Sequence, residues 1–160
     1  MSASDADWGK CVEWVRGADL SKVEARIEVT IPGKIEAVAP TVDRIIESIR
    51  EEECIKGHEF EVEVALLEAI GNAVEHGCQE DRSKEVSIWV ACCPECGLLV
   101  VIRDPGEGFD PSEIPNPVEQ DNLLRTHGRG VWLINKLMDG VHYANGGTEI
   151  RMHKRPNVKK

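Results

Sequence analysis

The order of periodic segments predicts an α+β fold in a single domain. Three observations carry this. An alternating strand pattern is followed by two helical patterns, a central pair of strand patterns is joined by a short turn, and a closing strand pair brackets Asn145-Gly146-Gly147. With 160 residues, 41% of them apolar and 30% charged, the chain has the size and composition of one globular domain with a proper core.

In residues 26–31, Ile27, Val29 and Ile31 alternate with Arg26 and Glu28, and Pro32-Gly33 stops the strand. From residue 35 to about 53, Ile35, Val38, Val42, Ile45, Ile46 and Ile49 recur at helical spacing. Pro40 lies inside that pattern and is expected to break or restart the helix, with Thr41 or Asp43 in its first turn. Gly57 marks the link to a second helix over residues 59–76, for which Gly77 is the expected C-terminal cap. Val86, Ile88, Val90 and Cys92 alternate with Ser87, Trp89 and Ala91, whereas residues 98–102 are continuously apolar, as in a strand covered on both faces. Residues 93–97 make the turn between them. Residues 105–128, rich in proline and glycine, read as a long loop of the kind that is functional or mobile. A helix over 130–138 and a final hairpin over 141–152 complete the domain, and residues 153–160 read as a basic, frayed end. Ahead of the domain, Trp8, Cys11, Val12 and Val15 stand at i, i+3, i+4 and i+7 and predict a short helix ending at Gly17. Whether that helix docks on the domain or serves an interface is open at this level.

The formal net charge of −10 argues against general nucleic-acid binding, which needs clustered Lys and Arg. It fits a basic protein partner, or a site that brings in its own cation. No apolar run approaches a membrane span, and residues 1–10 lack a signal-peptide pattern. A cytoplasmic setting is therefore expected, with the six cysteines mostly reduced. Cys93-Pro94-Glu95-Cys96-Gly97 looks like one knuckle of a zinc ribbon. A four-ligand site needs a second pair, so a plain hairpin turn is preferred over a zinc shared by two chains.

Three segments suggest chemistry. On the helix over 59–76, Leu66, Leu67, Ile70, Ala73 and Val74 form an apolar stripe. Glu68, Asn72, Glu75 and His76 fall on the other side, with Glu68, Asn72 and His76 one turn apart in succession. Gly71 and Asn72 lower helix propensity there, about 1 kcal/mol for Gly relative to Ala, though the stretch alone is equally an amphipathic helix with a polar outside. Arg103-Asp104-Pro105-Gly106-Glu107-Gly108-Phe109 follows a buried strand. Asp104 can accept a hydrogen bond from an exocyclic amine, and Gly106 and Gly108 admit a close backbone approach. In isolation a turn between two elements is the better explanation. His127-Gly128-Arg129-Gly130-Val131 opens a helix, where unpaired N–H groups offer an anion site to which Arg125 or Arg129 could add charge; alone, the motif equally fits a flexible hinge before a helix.

Taken together, in this order and with Gly147-Thr148 entering a strand, these segments resemble the GHKL ATP-binding superfamily of gyrase, heat-shock chaperones, histidine kinases and mismatch-repair ATPases. Residues 68–77 and 123–130 look most like its anti-sigma factor serine kinase branch. The resemblance spans about residues 25–155, leaving 1–24 as an N-terminal extension and 156–160 as a tail. It implies a two-layer α/β sandwich with a mixed, mostly antiparallel sheet covered on one face by helices. It implies ATP and Mg²⁺ as cofactors, with Asn72 as the Mg²⁺ ligand and Glu68 as the general base. Asp104 and Thr148 would hold adenine in a pocket shaped by Gly106, Gly108 and Phe109. A lid over about 111–127 would close on the phosphates, with His76, Gly128, Gly130 and Val131 at the phosphate end and Arg125 or Arg129 at the terminal phosphate. The activity it implies is that of an ATP-dependent protein serine/threonine kinase and anti-sigma factor. Such a protein is a homodimer that phosphorylates a STAS-type anti-anti-sigma partner and sequesters a sigma factor, without contacting nucleic acid or membrane. A nucleotide-binding module that acts by sequestration alone is the alternative. Glu75 matches no motif position and is read as solvated.

Overall fold

A computed structural model describes residues 27–93, 96–110 and 129–157. Five strands form one antiparallel sheet: β1 (Ile27–Pro32), β2 (Glu85–Cys93), β3 (Gly97–Arg103), β4 (Gly140–Ala144) and β5 (Glu149–Lys154). Their order across the sheet is β1-β2-β3-β5-β4, every neighbouring pair antiparallel. Helices α1 (Val38–Ile49), α2 (Glu59–Asn72) and α3 (Arg129–Leu137) pack on one face. This is the expected α+β two-layer sandwich, with antiparallel pairing throughout the described strands.

The period-2 alternation of β2 sends Val86, Ile88 and Val90 into the core, where they meet Leu98, Val100 and Ile102 of β3. Every residue of β3 except Arg103 is buried, as its unbroken apolar run predicts. α1 buries Val38, Val42, Ile45, Ile46 and Ile49. Pro40 is accommodated in its first turn, where a missing N–H breaks no bond, and a 3₁₀ turn (Ile35–Ala37) precedes it. Thr41 lies in that turn, its hydroxyl donating to the Ala37 carbonyl at 2.7 Å; Asp43 lies beyond it.

Three expectations need correction. Gly77 does not end its helix in a left-handed conformation. Beyond Asn72 the backbone widens into a π turn (Ala73–Gly77), with the Cys78 N–H donating to the Ala73 carbonyl at 2.9 Å. The left-handed residues that terminate it are Gln79 and Glu80, with φ of 53° and 54°. Residues 153 and 154 are not a frayed end either. β5 runs through Lys154, whose Nζ donates to the Leu137 carbonyl at 2.5 Å, a cation placed at the C-terminus of α3. Finally, the cysteines are not all thiols. Cys54, in the α1–α2 connection, and Cys92 form a disulfide with a Cα–Cα separation of 5.8 Å, inside the usual range. Cys96 is disulfide-bonded too, whereas Cys78 is free and buried. Compartment-based reasoning missed the pair because only the register of β2 turns Cys92 toward the α1–α2 connection. No group of three or more His, Cys, Asp or Glu suited to a metal occurs among the described residues, and no described helix is long and apolar enough to cross a membrane.

Candidate nucleotide site

α2 carries Glu68 and Asn72 in its last turns, and Glu75 and His76 follow in the π turn. Val62, Leu66, Ala69 and Ile70 are buried against the sheet, so the opposite side, with Glu68 and Asn72, is turned away from the core and only half-buried. Leu67, expected in the core, is also half-buried and packs at its margin. The first turn of α3 lies directly against Glu68 and Asn72. A Cβ on Gly130 would fall 2.6 Å from Glu68 Oε2 and 3.2 Å from Asn72 Nδ2. Glycine at this position therefore lets a helix N-terminus approach a carboxylate and an amide without displacing either. Unpaired N–H groups of that first turn add partial positive charge beside them.

Just beyond the C-terminus of α2, the π turn meets the strand end that carries Asp104. The missing side chain of Gly77 is what admits the Asp104 carboxyl, since a Cβ there would overlap it. Asp104 Oδ1 accepts the Gly106 N–H at 2.8 Å, and its backbone N–H donates to the Thr148 carbonyl at 2.9 Å. Burial pushes the Asp104 carboxyl above the usual aspartate range, with the Gly106 N–H partly opposing the shift. Thr148 Oγ1 donates to the Asn145 carbonyl at 2.9 Å, leaving its lone pairs as acceptors. Phe109 N–H donates to the Gly146 carbonyl at 3.0 Å, which ties the glycine loop to the β4–β5 turn. The close approach is possible because Gly108 and Gly147 have φ of 78° and 90° and no side chains.

Phe109, 41% exposed, stands edge-on to Tyr143 with ring centroids 5.2 Å apart. Together with residues 107–110 and 144–147 these rings border an open cleft of about 480 Å³. The Tyr143 hydroxyl is buried with no hydrogen-bond partner among the described residues, and burial pushes its pKa up to about 12. Sequence reasoning overlooked Tyr143 and Asn145, since nothing in their spacing marks them; only the pairing of β4 with β5 brings them to the glycine loop.

The structure thus assembles Glu68, Asn72 and Gly130 in one cluster, and Asp104, Gly106, Gly108, Phe109 and Thr148 in another. Gly77 joins the second cluster, and a single helix with its π turn connects the two. His76 is exposed on that turn and Val131 is half-buried in the first turn of α3. Arg129 begins α3. Arg125 and Gly128, together with the expected lid, lie outside the described residues. For a hard cation the fit is reasonable, because Asn72 offers an amide oxygen, Glu68 a carboxylate, and Mg²⁺ takes few protein ligands.

A family model described as a histidine kinase-like ATPase domain matches residues 31–154. Curated relatives include Serine-protein kinase RsbW of Oceanobacillus iheyensis, 37% identical over 101 residues, or 59% of this chain and 63% of that protein. The protein of the same name from Bacillus subtilis is 34% identical over 101 residues, covering 59% and 62%. That from Staphylococcus aureus strain JH9 is 32% identical over 101 residues, covering 59% and 64%. The matched stretch spans less than two thirds of each relative's length.

Proposed function

Because the chain belongs to the histidine kinase-like ATPase domain family, we propose that it is an ATP-dependent protein serine/threonine kinase acting on a small STAS-type partner. In the same reading it holds a sigma factor when that partner is phosphorylated and cannot compete. The observation that carries the proposal is the contact of Gly130 with Glu68 and Asn72. It sets a helix N-terminus, a carboxylate and an amide oxygen around one point, which is what transfer of a phosphoryl group to a hydroxyl requires.

In this reading Asp104 accepts the exocyclic amine of adenine and Thr148 supports it. Gly106, Gly108 and Phe109 shape the base pocket. Asn72 holds Mg²⁺, which when bound offsets charge on the ATP phosphates. The backbone N–H groups at Gly128, Gly130 and Val131 receive the phosphates, and His76 supports that end of the site. Arg125 or Arg129 meets the terminal phosphate. Glu68 orients the incoming serine hydroxyl and takes its proton as the oxygen attacks the γ-phosphorus. The anhydride bond then breaks and ADP leaves. Names borne by the relatives support kinase chemistry on serine, and the net charge of −10 suits a basic binding partner such as a sigma factor.

The test is transfer from radiolabelled ATP to a STAS-type partner, alongside calorimetry of Mg-ATP binding. Glu68→Gln is expected to bind Mg-ATP normally and transfer nothing, and Asn72→Ala to lose binding. Identical behaviour of the two variants would show the roles to be wrong. Binding without transfer by the wild type would leave sequestration as the sole output.

A further inference from the structure

All three described helices lie on one face of the sheet, yet the other face is also buried. On that outer face Val101 is 3% exposed, Leu99 5% and Ala91 6%. Ala91 and Leu99, with Trp89 against them, form an apolar cluster separate from the main core. Glu149, from the same face, is fully buried and accepts hydrogen bonds from Nε of Arg103 and of Arg151. Side chains on an open sheet stand perpendicular to it with their tips in water, so in-sheet neighbours alone do not bury three small residues and a carboxylate this completely. Only part of the face is covered: Glu28, Thr30 and Ser87 on its β1 side are exposed.

We propose that residues 8–16 of this same chain form that cover, with the stripe Trp8, Cys11, Val12 and Val15 laid on Trp89, Ala91, Leu99 and Val101. The point of entry favours it. β1 begins at Ile27, paired with Val90, so the preceding chain emerges beside Ala91, at the edge of the buried patch. Two strand spacings, about 10 Å, separate β1 from Leu99 and Val101. The ten residues 17–26 reach up to about 33 Å, and a nine-residue helix is about 13 Å long, enough to lie across the β2–β3–β5 rows. Length and stripe both match. The extension would thus be a fixed third layer behind the strands whose ends hold Asp104 and Thr148, not a free arm. This inference does not depend on the kinase reading.

The experiment places the photo-crosslinker benzoylphenylalanine at position 89 of the full chain and maps the adducts by mass spectrometry. Expected is an adduct at the mass of one chain, joining position 89 to a peptide within residues 8–16. Adducts at twice the chain mass would assign the cover to a second copy and overturn the proposal. Adducts confined to residues 27–157, or none, would overturn it too. In parallel, Val12→Asp/Val15→Asp is expected to raise the fluorescence of an apolar dye severalfold with far-ultraviolet dichroism of the domain retained, while Val12→Leu leaves both unchanged. Dye fluorescence equal to wild type in the double variant would count against the proposal.

Discussion

Gly130→Ala separates positioning from stability at the proposed centre. Its new Cβ would sit 2.6 Å from Glu68 Oε2, against an ordinary contact distance of about 3.5 Å, so the carboxylate must retreat by roughly 0.9 Å. Glu68 is a flexible side chain on a surface-facing stripe and can move without disturbing the core. Misplacement of a reacting group by about 1 Å can lower a rate by about 10²-fold, equivalent to roughly 2.7 kcal/mol of lost transition-state stabilisation. Alanine meanwhile favours the helical backbone by up to about 1 kcal/mol over glycine, the gain being smaller in a first turn. Expected, then, is phosphoryl transfer reduced between about tenfold and 10²-fold with a Tm equal to or slightly above wild type. Single-turnover transfer kinetics and calorimetric unfolding would read both quantities on one preparation. A transfer rate within about twofold of wild type would refute the assignment of Glu68, because a base in that place cannot be displaced this far without effect.

Asp104→Asn removes a carboxylate that burial holds above its normal pKa. Because the folded-state value is raised, wild-type stability from this group is present below the unfolded pKa and is lost as pH rises through the folded one. The variant is therefore expected to unfold at a higher temperature than wild type at neutral pH, with the gap closing as pH falls toward the ordinary aspartate range, while ATP affinity falls about tenfold or more. Urea titrations and calorimetry across pH would test both halves. Glu149→Gln removes the buried carboxylate that pairs with Arg103 and Arg151, which for a buried ion pair costs about 3 kcal/mol. Since the Arg103 side chain is 56% exposed, the loss belongs at the low end of that class and is measurable as a lower urea midpoint. Reducing the Cys54–Cys92 disulfide, which spans 38 residues, is expected to remove about 4 kcal/mol through the freed unfolded chain. Cys54→Ser should reproduce the effect of reductant, and reductant should then have no further effect through this pair.

The parts legible in the sequence were those set by a short period. The alternation of β2, the unbroken run of β3 and the 3.6-residue stripes of α1 and α2 each follow from one buried face; the two strands match the expected bounds to one residue, the two helices to about four. The glycine-flanked Asp104 and the Glu68–Asn72 spacing were legible for the same local reason. What escaped depends on contacts between distant segments. A helix-ending glycine such as Gly77 suggests a cap, yet Gly77 is required by the Asp104 carboxyl, 27 positions further along the chain. For Lys154 nothing local shows that β5 pairs with β3 and carries it to the end of α3. Cys54 and Cys92 meet only after that sheet and the α1–α2 connection are both in place.

The Gly77 contact is one of a group of close approaches that share a location, and that location bears on how the site works. Gly77, Gly106, Gly108 and Gly147 all sit where one backbone approaches another or a carboxyl closely, at the ends of strands β3 and β5. A side chain at any of them would separate the π turn, the glycine loop and the β4–β5 turn, which together frame Asp104 and Thr148. The sheet behind them is held by apolar burial on both faces, so the frame is rigid where it is anchored. In the proposed reading α3 faces the phosphates, and the missing side chain of Gly130 sets how closely its first turn approaches Glu68. In that reading adenine recognition belongs to the rigid part of the domain, whereas the geometry of transfer depends on how closely one helix start is allowed to come. Substitutions at Gly77 or Gly106 should accordingly weaken nucleotide binding and stability together, and a substitution at Gly130 should alter transfer while sparing both.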